Sequence, residues 1–153
     1  MIRIVTKQEY YCFDSSLKKL PFSNTDISII VIFNQFIDDY EDDEIDVYGF
    51  FDNSQELQGL IRYSEEALNY LFEEFDIVDN RLITLIGALI VHPKHRGKGL
   101  AKELVTFTVN DVKTEVVVAD PFDIQSGRFF HSIDFSFENA FGDTGEWLLY
   151  KKK

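Results

Sequence analysis

Residues 91–101 read Val91-His92-Pro93-Lys94-His95-Arg96-Gly97-Lys98-Gly99-Leu100-Ala101, a basic stretch with two glycines. It follows the apolar run LITLIGALIV at 82–91, whose β-branched content predicts a strand buried on both faces. It precedes 100–112, where apolar residues at three-to-four spacing predict a helix with a wide apolar face. The stretch is therefore predicted to be a turn between a buried strand and a helix.

This predicted turn has the chemistry of an anion site. Amides at the start of a helix lack intrahelical acceptors and lie at the positive end of the helix dipole, so they bind phosphate. Gly97 and Gly99 carry no Cβ that would obstruct a diphosphate. The basic side chains of the segment are Lys94, Arg96, Lys98 and Lys102. The spacing matches neither GxxxxGK[ST] nor GxGxxG, and a basic connection without a ligand stays open as the alternative.

The same stretch resembles the acetyl-CoA signature of the GNAT acetyltransferase superfamily, R/Q-x-x-G-x-G/A after a strand that ends in V-x-P. Residues 96–101 fit each specified position, and Val91-His92-Pro93 precedes them at the family's spacing. The hairpin at 46–63 resembles the family's second and third strands, EVVVAD at 115–120 its fifth strand, and 129–135 its F-Y-x-x-x-G-F helix end. The resemblance implies an α+β GNAT acyltransferase-like fold. In it, a central mixed, mostly antiparallel sheet has a splayed parallel pair of fourth and fifth strands and is flanked by helices.

The periodicity predicts the remaining elements. Strands are predicted at 2–5, 46–51, 56–63, 115–120, 135–137 and 146–150, and helices at 7–20, 24–39, 64–76 and 124–132. The segment 24–39 contains an Ile-Ile-Val-Ile run, so a strand stays open there. A single GNAT domain over 1–153 is expected, with 1–80 as the acidic acceptor-side half and 81–153 as the acetyl-CoA-binding half.

Charge is distributed unevenly along the chain. The formal net charge is −12, and residues 20–80 hold sixteen acidic residues against Arg62 alone. A negative field opposes non-specific binding to nucleic acid or anionic membranes, so no nucleic-acid or membrane partner is expected and a basic partner is favoured. The acidic run Asp38–Asp46 also reads as a solvated loop, and the sequence does not decide whether it binds anything.

The single Cys12 cannot form an internal disulfide and has no partner spacing for a zinc site. A reducing, cytoplasmic setting without a bound metal is expected. No signal peptide and no apolar run of about 18 residues is present, so the chain is expected to be soluble.

The resemblance implies acetyl-CoA as co-substrate. The cofactor-binding residues implied are Leu89, Ile90, Val91, Arg96, Gly97, Lys98, Gly99, Leu100, Ala101, Lys102, Asp123 and Phe130. Amides of 97–102 would hold the diphosphate, and Leu89 and Val91 would pair with the acetyl carbonyl and pantetheine.

The chain departs from the family at its catalytic positions. The Tyr that commonly protonates the CoA thiolate falls at Phe130, and the position that often carries a Glu base falls at Leu85. The general acid and base are therefore unassigned. Candidates for the base are Asp120, Glu56 and His92, and His131 is a candidate proton donor to the thiolate. Each of the four is also explained by a structural role. His92 is expected to be a surface residue.

The predicted function is transfer of the acetyl group from acetyl-CoA to a primary amine of a cationic small molecule or peptide. The alternatives are a catalytically weak acyl-CoA-binding or protein-interaction module, and a protein lysine or N-terminal acetyltransferase. Negative potential attracts an ammonium but also raises the pKa of the amine, which opposes formation of the nucleophile. Acceptor identity and oligomeric state are not in the sequence, although a homodimer is compatible with the resemblance.

Overall fold

The computed structural model describes residues 1–20, 47–67, 82–119, 124–137 and 148–151. The predicted helix at 24–39, the acidic run up to Asp46, Asp120 and Asp123 lie outside these residues. The strands are β1 Ile2–Ile4, β2 Val47–Phe51, β3 Leu57–Ala67, β4 Leu82–Val91, β5 Val116–Ala119, β6 Ser136–Phe137 and β7 Leu148–Lys151. The helices are α1 Lys7–Lys18, α2 Leu100–Asp111, α3 Ile124–Ser132 and a 3₁₀ turn at Pro93–His95. Among the described helices, none combines the length and apolar character needed to cross a membrane.

The chain divides into two compact units, residues 1–62 with 88–108 and residues 63–87 with 109–153. Strands β3 and β4 each contribute to both units. The strand order is β1-β2-β3-β4 in the first unit and β3-β4-β5-β7-β6 in the second. Strands β4 and β5 pair in parallel, whereas the β1–β2, β2–β3, β5–β7 and β6–β7 pairs are antiparallel. The mixed sheet and its parallel pair are thus confirmed.

Helix α1 begins at a capping box in the first unit. Thr6 Oγ1 accepts the Glu9 N–H at 3.2 Å, and Glu9 Oε2 accepts the Thr6 N–H at 2.9 Å. The Glu9 carboxylate also pairs with the Arg3 guanidinium of β1 at 2.7 Å. The core under α1 consists of Val5, Tyr10, Phe13, Leu17, Val47, Phe51, Leu60, Ala88 and Ile90.

The second unit has its own buried groups around the parallel strand pair. Ile83, Val116 and Val118 form an apolar cluster against which Leu85 packs. Beside them, the hydroxyls of Thr84 and Thr114 share a buried hydrogen bond at 2.6 Å. Burying a hydroxyl with a hydrogen-bond partner lowers the free energy of unfolding little, because the new hydrogen bond replaces the one lost to water.

Strand β3 is longer than predicted. The sequence predicted a helix from Ser64 to Asp76, but Ser64 and the two glutamates after it continue the strand to Ala67. The prediction is wrong over 64–67, because backbone pairing in the sheet outweighs a helix preference of a few tenths of a kcal/mol per residue. Residues 68–76 lie outside the described part. The predicted hairpin, the β4 and β5 strands, and the α1, α2 and α3 helices are confirmed, with ends shifted by at most two residues except at the C-terminal end of β3.

Gly59 on β3 brings this strand close to β4 and α2. A Cβ at this position would lie 3.1 Å from the carbonyl oxygen of Ile90 and 3.3 Å from Cδ1 of Leu104. The nearest of these atoms belongs to the backbone, which has little freedom to move. The absence of a side chain therefore permits the approach of β4 and α2.

We expect Gly59→Ala to lower the free energy of unfolding by about 1–3 kcal/mol through overpacking. In a strand without this contact, the same change would stabilise the protein by about 0.5–1 kcal/mol. The sign of the shift in a urea denaturation midpoint therefore tests the contact, and Gly59→Val should cost more than alanine. An unchanged or raised midpoint for Gly59→Ala would contradict the close approach.

The Arg3 guanidinium and the Thr6 cap lower the pKa of Glu9 from 4.5 to about 2. A lowered folded-state pKa contributes stability that is present above the unfolded value and is lost as the pH falls toward the folded value. We expect Glu9→Gln to cost about 1 kcal/mol at neutral pH. The difference from the wild type should shrink below about pH 4.5. Urea unfolding at neutral and acidic pH measures this, and a difference independent of pH would assign the cost to packing alone.

Candidate functional site

The turn between β4 and α2 is built on two glycines in the left-handed region. Gly97 has φ +79° and Gly99 has φ +80°. A residue with a Cβ pays about 1–2 kcal/mol to adopt this conformation, so the two positions favour glycine. A Cβ at either position would meet no atom within 4 Å. The backbone of this turn therefore has open space in front of it.

The first amides of helix α2 follow the second of these glycines directly in the chain. Its hydrogen-bond ladder starts with the Glu103 N–H, which donates to the Gly99 carbonyl at 3.1 Å. The N–H groups of residues 100–102 precede that bond and have no intrahelical acceptor. Leu100 is buried and anchors the helix start, while Lys102 is exposed. These amides lie at the positive end of the helix dipole, which attracts an anion.

Positive side chains surround the same turn. Arg96 is exposed, and its Nε donates to the Val91 carbonyl at 3.3 Å, which holds its stem along the end of β4. The exposed Lys98 places Nζ 3.5 Å from Nδ1 of His95. Phosphate oxygens accept hydrogen bonds from such cations. The structure therefore places exposed cationic side chains on the same turn as the two glycines.

His92 is buried, with 3% of its surface exposed, so the expectation of a surface residue is wrong. Its Nδ1 accepts the Lys94 N–H at 3.2 Å, and its Nε2 lies 3.1 Å from the Ser16 hydroxyl of α1. The sequence around His92 does not indicate this burial, because Ser16 of α1, which contacts its ring, is 76 positions away in the chain. Burial is the main cause that lowers the pKa of His92.

Glu56 lies at the end of the β2–β3 hairpin turn. Its backbone N–H donates to Asp52 Oδ1 at 2.9 Å, a bond that is the largest cause lowering the pKa of Asp52. Its carboxylate is 64% exposed and lies 3.4 Å from Nε2 of His95. Glu56 is therefore a solvated carboxylate beside a histidine, whereas catalytic bases are usually tuned by burial.

Phe130 of α3 serves the packing of the second unit. It is 5% exposed, and its ring centroid lies 5.1 Å from those of both Phe129 and Phe135. The next residue, His131, is exposed, and its Nδ1 lies 3.0 Å from the Phe135 carbonyl. Because a carbonyl only accepts, Nδ1 carries the proton in the neutral ring, and the lone pair is on Nε2.

The three predicted cofactor residues at the end of β4 lie on two different faces of the strand. Ile90 is 3% exposed and belongs to the core under α1, so its side chain is a structural group. Leu89 and Val91 alternate with it and are half-buried. The structure brings residues 89–102 together as one continuous segment. Sequence reasoning missed Ser16 and Gln58, whose contacts with His92 join distant segments and leave no local signal.

A model of the family described as Acetyltransferase (GNAT) family matches residues 21–135. No curated protein matches the sequence. Solved structures resemble the fold. One is histone acetyltransferase HPA2 and related acetyltransferase from Corynebacterium glutamicum, with TM-score 0.63 and 11% identity over 99% of this chain and 94% of that one.

Two further structures contain the toxin AtaT. A mutant AtaT bound to the C-terminus of the antitoxin AtaR and acetyl-CoA has TM-score 0.68 and 14% identity over 99% of this chain and 92% of that one. AtaT complexed with acetyl-methionyl-tRNAfMet has TM-score 0.64 and 14% identity over 99% of this chain and 94% of that one.

The expectation of a cationic small-molecule or peptide acceptor and no nucleic-acid partner is wrong. A protein of this fold is seen in complex with an acetylated aminoacyl-tRNA. The inference failed because net charge is a sum over the whole chain, whereas phosphate responds to the charges within about 10 Å of it. Here a basic turn lies within a chain of net charge −12.

Proposed function

The chain belongs to the GNAT acetyltransferase family, and on that premise we propose that it binds acetyl-CoA at the 91–102 turn and transfers the acetyl group to a primary amine. The observation that supports this most directly is the pair of left-handed glycines, with open space at their Cβ positions, directly before the start of α2. The acetyl-CoA found with AtaT, a protein of the same fold, also supports the choice of co-substrate.

The turn fits the diphosphate of acetyl-CoA. The amides of residues 97–102 would donate to its oxygens, and Arg96, Lys98 and Lys102 would neutralise its charge. The open space at both glycine Cβ positions lets the backbone approach the ligand without a side chain between them. Positive φ angles at these two residues set the amides before the ligand arrives, so little conformational freedom is lost on binding.

We assign the pantetheine arm to the half-buried face of β4 at Leu89 and Val91. Backbone N–H and C=O groups at a strand end can pair with the amides of an extended ligand as another strand would. When bound, acetyl-CoA would supply a thioester carbonyl for attack by a neutral amine. The C–N bond would form as the C–S bond breaks, and CoA would leave as a thiolate that takes up, through solvent, the proton released by the amine nitrogen. A backbone N–H on this strand would polarise the carbonyl oxygen as negative charge develops on it. Asp123 and Phe130 remain proposed cofactor residues of the second unit.

The chain must also remove a proton from the incoming ammonium. His92 is unsuited, because both ring nitrogens are engaged by Ser16 and Lys94. His131 offers a lone pair on Nε2, and Asp120 remains a proposed candidate. We propose that the amine loses its proton to solvent or to one of these groups before attack.

The carrier of the amine is left to experiment, because a fold by itself does not specify a substrate. The α-amino group of an aminoacyl-tRNA belongs in the test, together with polyamines, aminoglycosides and lysine-containing peptides. The exposed free thiol of Cys12 suits a reducing compartment, so we propose a cytoplasmic setting. We retain one domain over 1–153, with its acceptor side in 1–80 and its cofactor side in 81–153.

A second candidate function is an acyl-CoA-binding module with weak turnover. It is favoured by Phe130 and Leu85, which stand where the family often has an acid and a base and which carry no exchangeable proton. Phe130 packs between two other rings, and Leu85 packs on an apolar cluster. Acetyl-CoA binding without thiol release on any amine of the panel would select this function.

We expect Gly99→Asp to abolish binding of acetyl-CoA, because it places a carboxylate in the open space in front of the amides. Calorimetric titration with acetyl-CoA measures the loss, and circular dichroism reports the fold. Asp is among the residues that tolerate positive φ, so the chain should stay folded.

Gly99→Asn is the matched control, since it has the same shape and a similar tolerance of positive φ without the charge. It should bind acetyl-CoA more tightly than Gly99→Asp by at least about tenfold. Unchanged affinity of a folded Gly99→Asp protein would overturn the placement of the diphosphate at this turn.

Glu56→Gln should leave the turnover number within about threefold of the wild type, because removing a true general base costs about 100-fold to 10,000-fold. Release of free CoA thiol in the presence of the best amine measures it. Glu115→Gln removes one charge from an exposed position and serves as the control for net charge. A loss of about 100-fold that is confined to Glu56→Gln would establish Glu56 as the base.

A further inference from the structure

His92 lies where the cofactor turn meets two other elements of the first unit. Its backbone N–H donates to the Gln58 carbonyl of β3 at 2.9 Å, and its carbonyl accepts the His95 N–H at 2.8 Å. Its ring lies edge-on to Phe13 of α1 with centroids 5.7 Å apart. One residue thereby ties the 3₁₀ turn at Pro93–His95 to β3 and to α1.

The hydrogen bonds of the ring require one tautomer. The Lys94 N–H can only donate, so Nδ1 of His92 must present its lone pair. The neutral ring then carries its proton on Nε2, which donates to the Ser16 hydroxyl at 3.1 Å. His92 is thus the N-cap of the 3₁₀ turn through a side-chain nitrogen.

A second proton on this ring would remove the cap. Protonated Nδ1 is a donor, so it would oppose the Lys94 N–H instead of accepting from it. The ring is 3% exposed, and burial leaves the added charge without water. The turn would have to open to relieve this conflict.

The charges around His92 also oppose its protonation. Among the described residues, His95, Lys94 and Arg96 of the turn lower the pKa of His92, whereas Glu56 of the hairpin raises it. Helix α1 faces the ring with the uncharged Ser16 and Phe13, and its Asp14 is paired with Lys18. From β3 the contact is the neutral Gln58 carbonyl.

Resting on the proposed acetyl-CoA site, we infer that neutral His92 is a positioning residue that holds the turn in its ligand-competent conformation, and that its protonation releases the turn. The cap holds Lys94 at the start of the 3₁₀ turn. The Arg96 N–H donates to the Pro93 carbonyl at 3.5 Å, so this bond links Arg96 to the capped turn. The two glycines and the first amides of α2 come directly after Arg96. Acetyl-CoA affinity should therefore depend on the protonation state of His92.

The test measures the dissociation constant of acetyl-CoA from about pH 8 to about pH 5 by calorimetry. His92→Asn is the informative variant, because Asn is a good N-cap and does not titrate in this range. Ser16→Ala removes the link to α1 and keeps the titratable ring. Because the phosphomonoester of CoA titrates near pH 6, the series is repeated with 3′-dephospho-acetyl-CoA.

In the wild type we expect affinity to fall by up to about tenfold per pH unit, beginning below the ordinary imidazole value of about 6.5. His92→Asn should bind within about threefold of the wild type at neutral pH and lack this fall. Ser16→Ala should keep the fall. If the affinity for 3′-dephospho-acetyl-CoA changes with pH in the same way in the wild type and in His92→Asn, the inference is wrong. That result would not contradict the proposed function.

A second measurement needs no variant. The ¹⁵N shifts of the His92 ring in the wild type report its tautomer, and we expect Nε2 to carry the proton. A proton on Nδ1 at neutral pH would remove the cap and overturn the inference even if His92→Asn does not fold. Absence of acetyl-CoA binding at every pH would instead overturn the proposed function and this inference together.

Discussion

The constraint on which the site depends is the backbone conformation of two glycines, Gly97 and Gly99, at the start of α2. Their positive φ angles turn the chain from the end of β4 into the helix, and the space at their Cβ positions is open. A side chain at either residue would add strain and, if acidic, negative charge. The basic residues nearby attract an anion, but the amides would give it a defined position.

The turn needs support because a short 3₁₀ segment has little stability of its own. His92 provides that support with one buried ring and one backbone bond to β3. Next to Gln58 on β3, Gly59 allows β4 and α2 to approach. The conformation of the turn that we propose to bind the diphosphate therefore depends on the packing of β3 and α1 as well as on its own residues.

Electrostatics acts locally in this protein. The net charge of −12 predicted that the protein has no nucleic-acid partner. The complex of AtaT, a protein of the same fold, with acetyl-methionyl-tRNAfMet contradicts that prediction. Charges more than about 10 Å apart are largely screened at physiological salt. A basic turn can bind phosphate in an acidic chain, so the sum of charges gives little information about the ligand of one site.

The sequence by itself determined the strand, turn and helix at 82–111, because these follow from local periodicity and glycine positions. It further predicted an anion site between them from the amides at the helix start. It also predicted the hairpin and the parallel β4–β5 pair. Only the tertiary structure decided that β3 continues through 64–67 and that His92 is buried under α1. Both depend on contacts between residues far apart in the chain, and such contacts leave no periodic signal in the sequence around them.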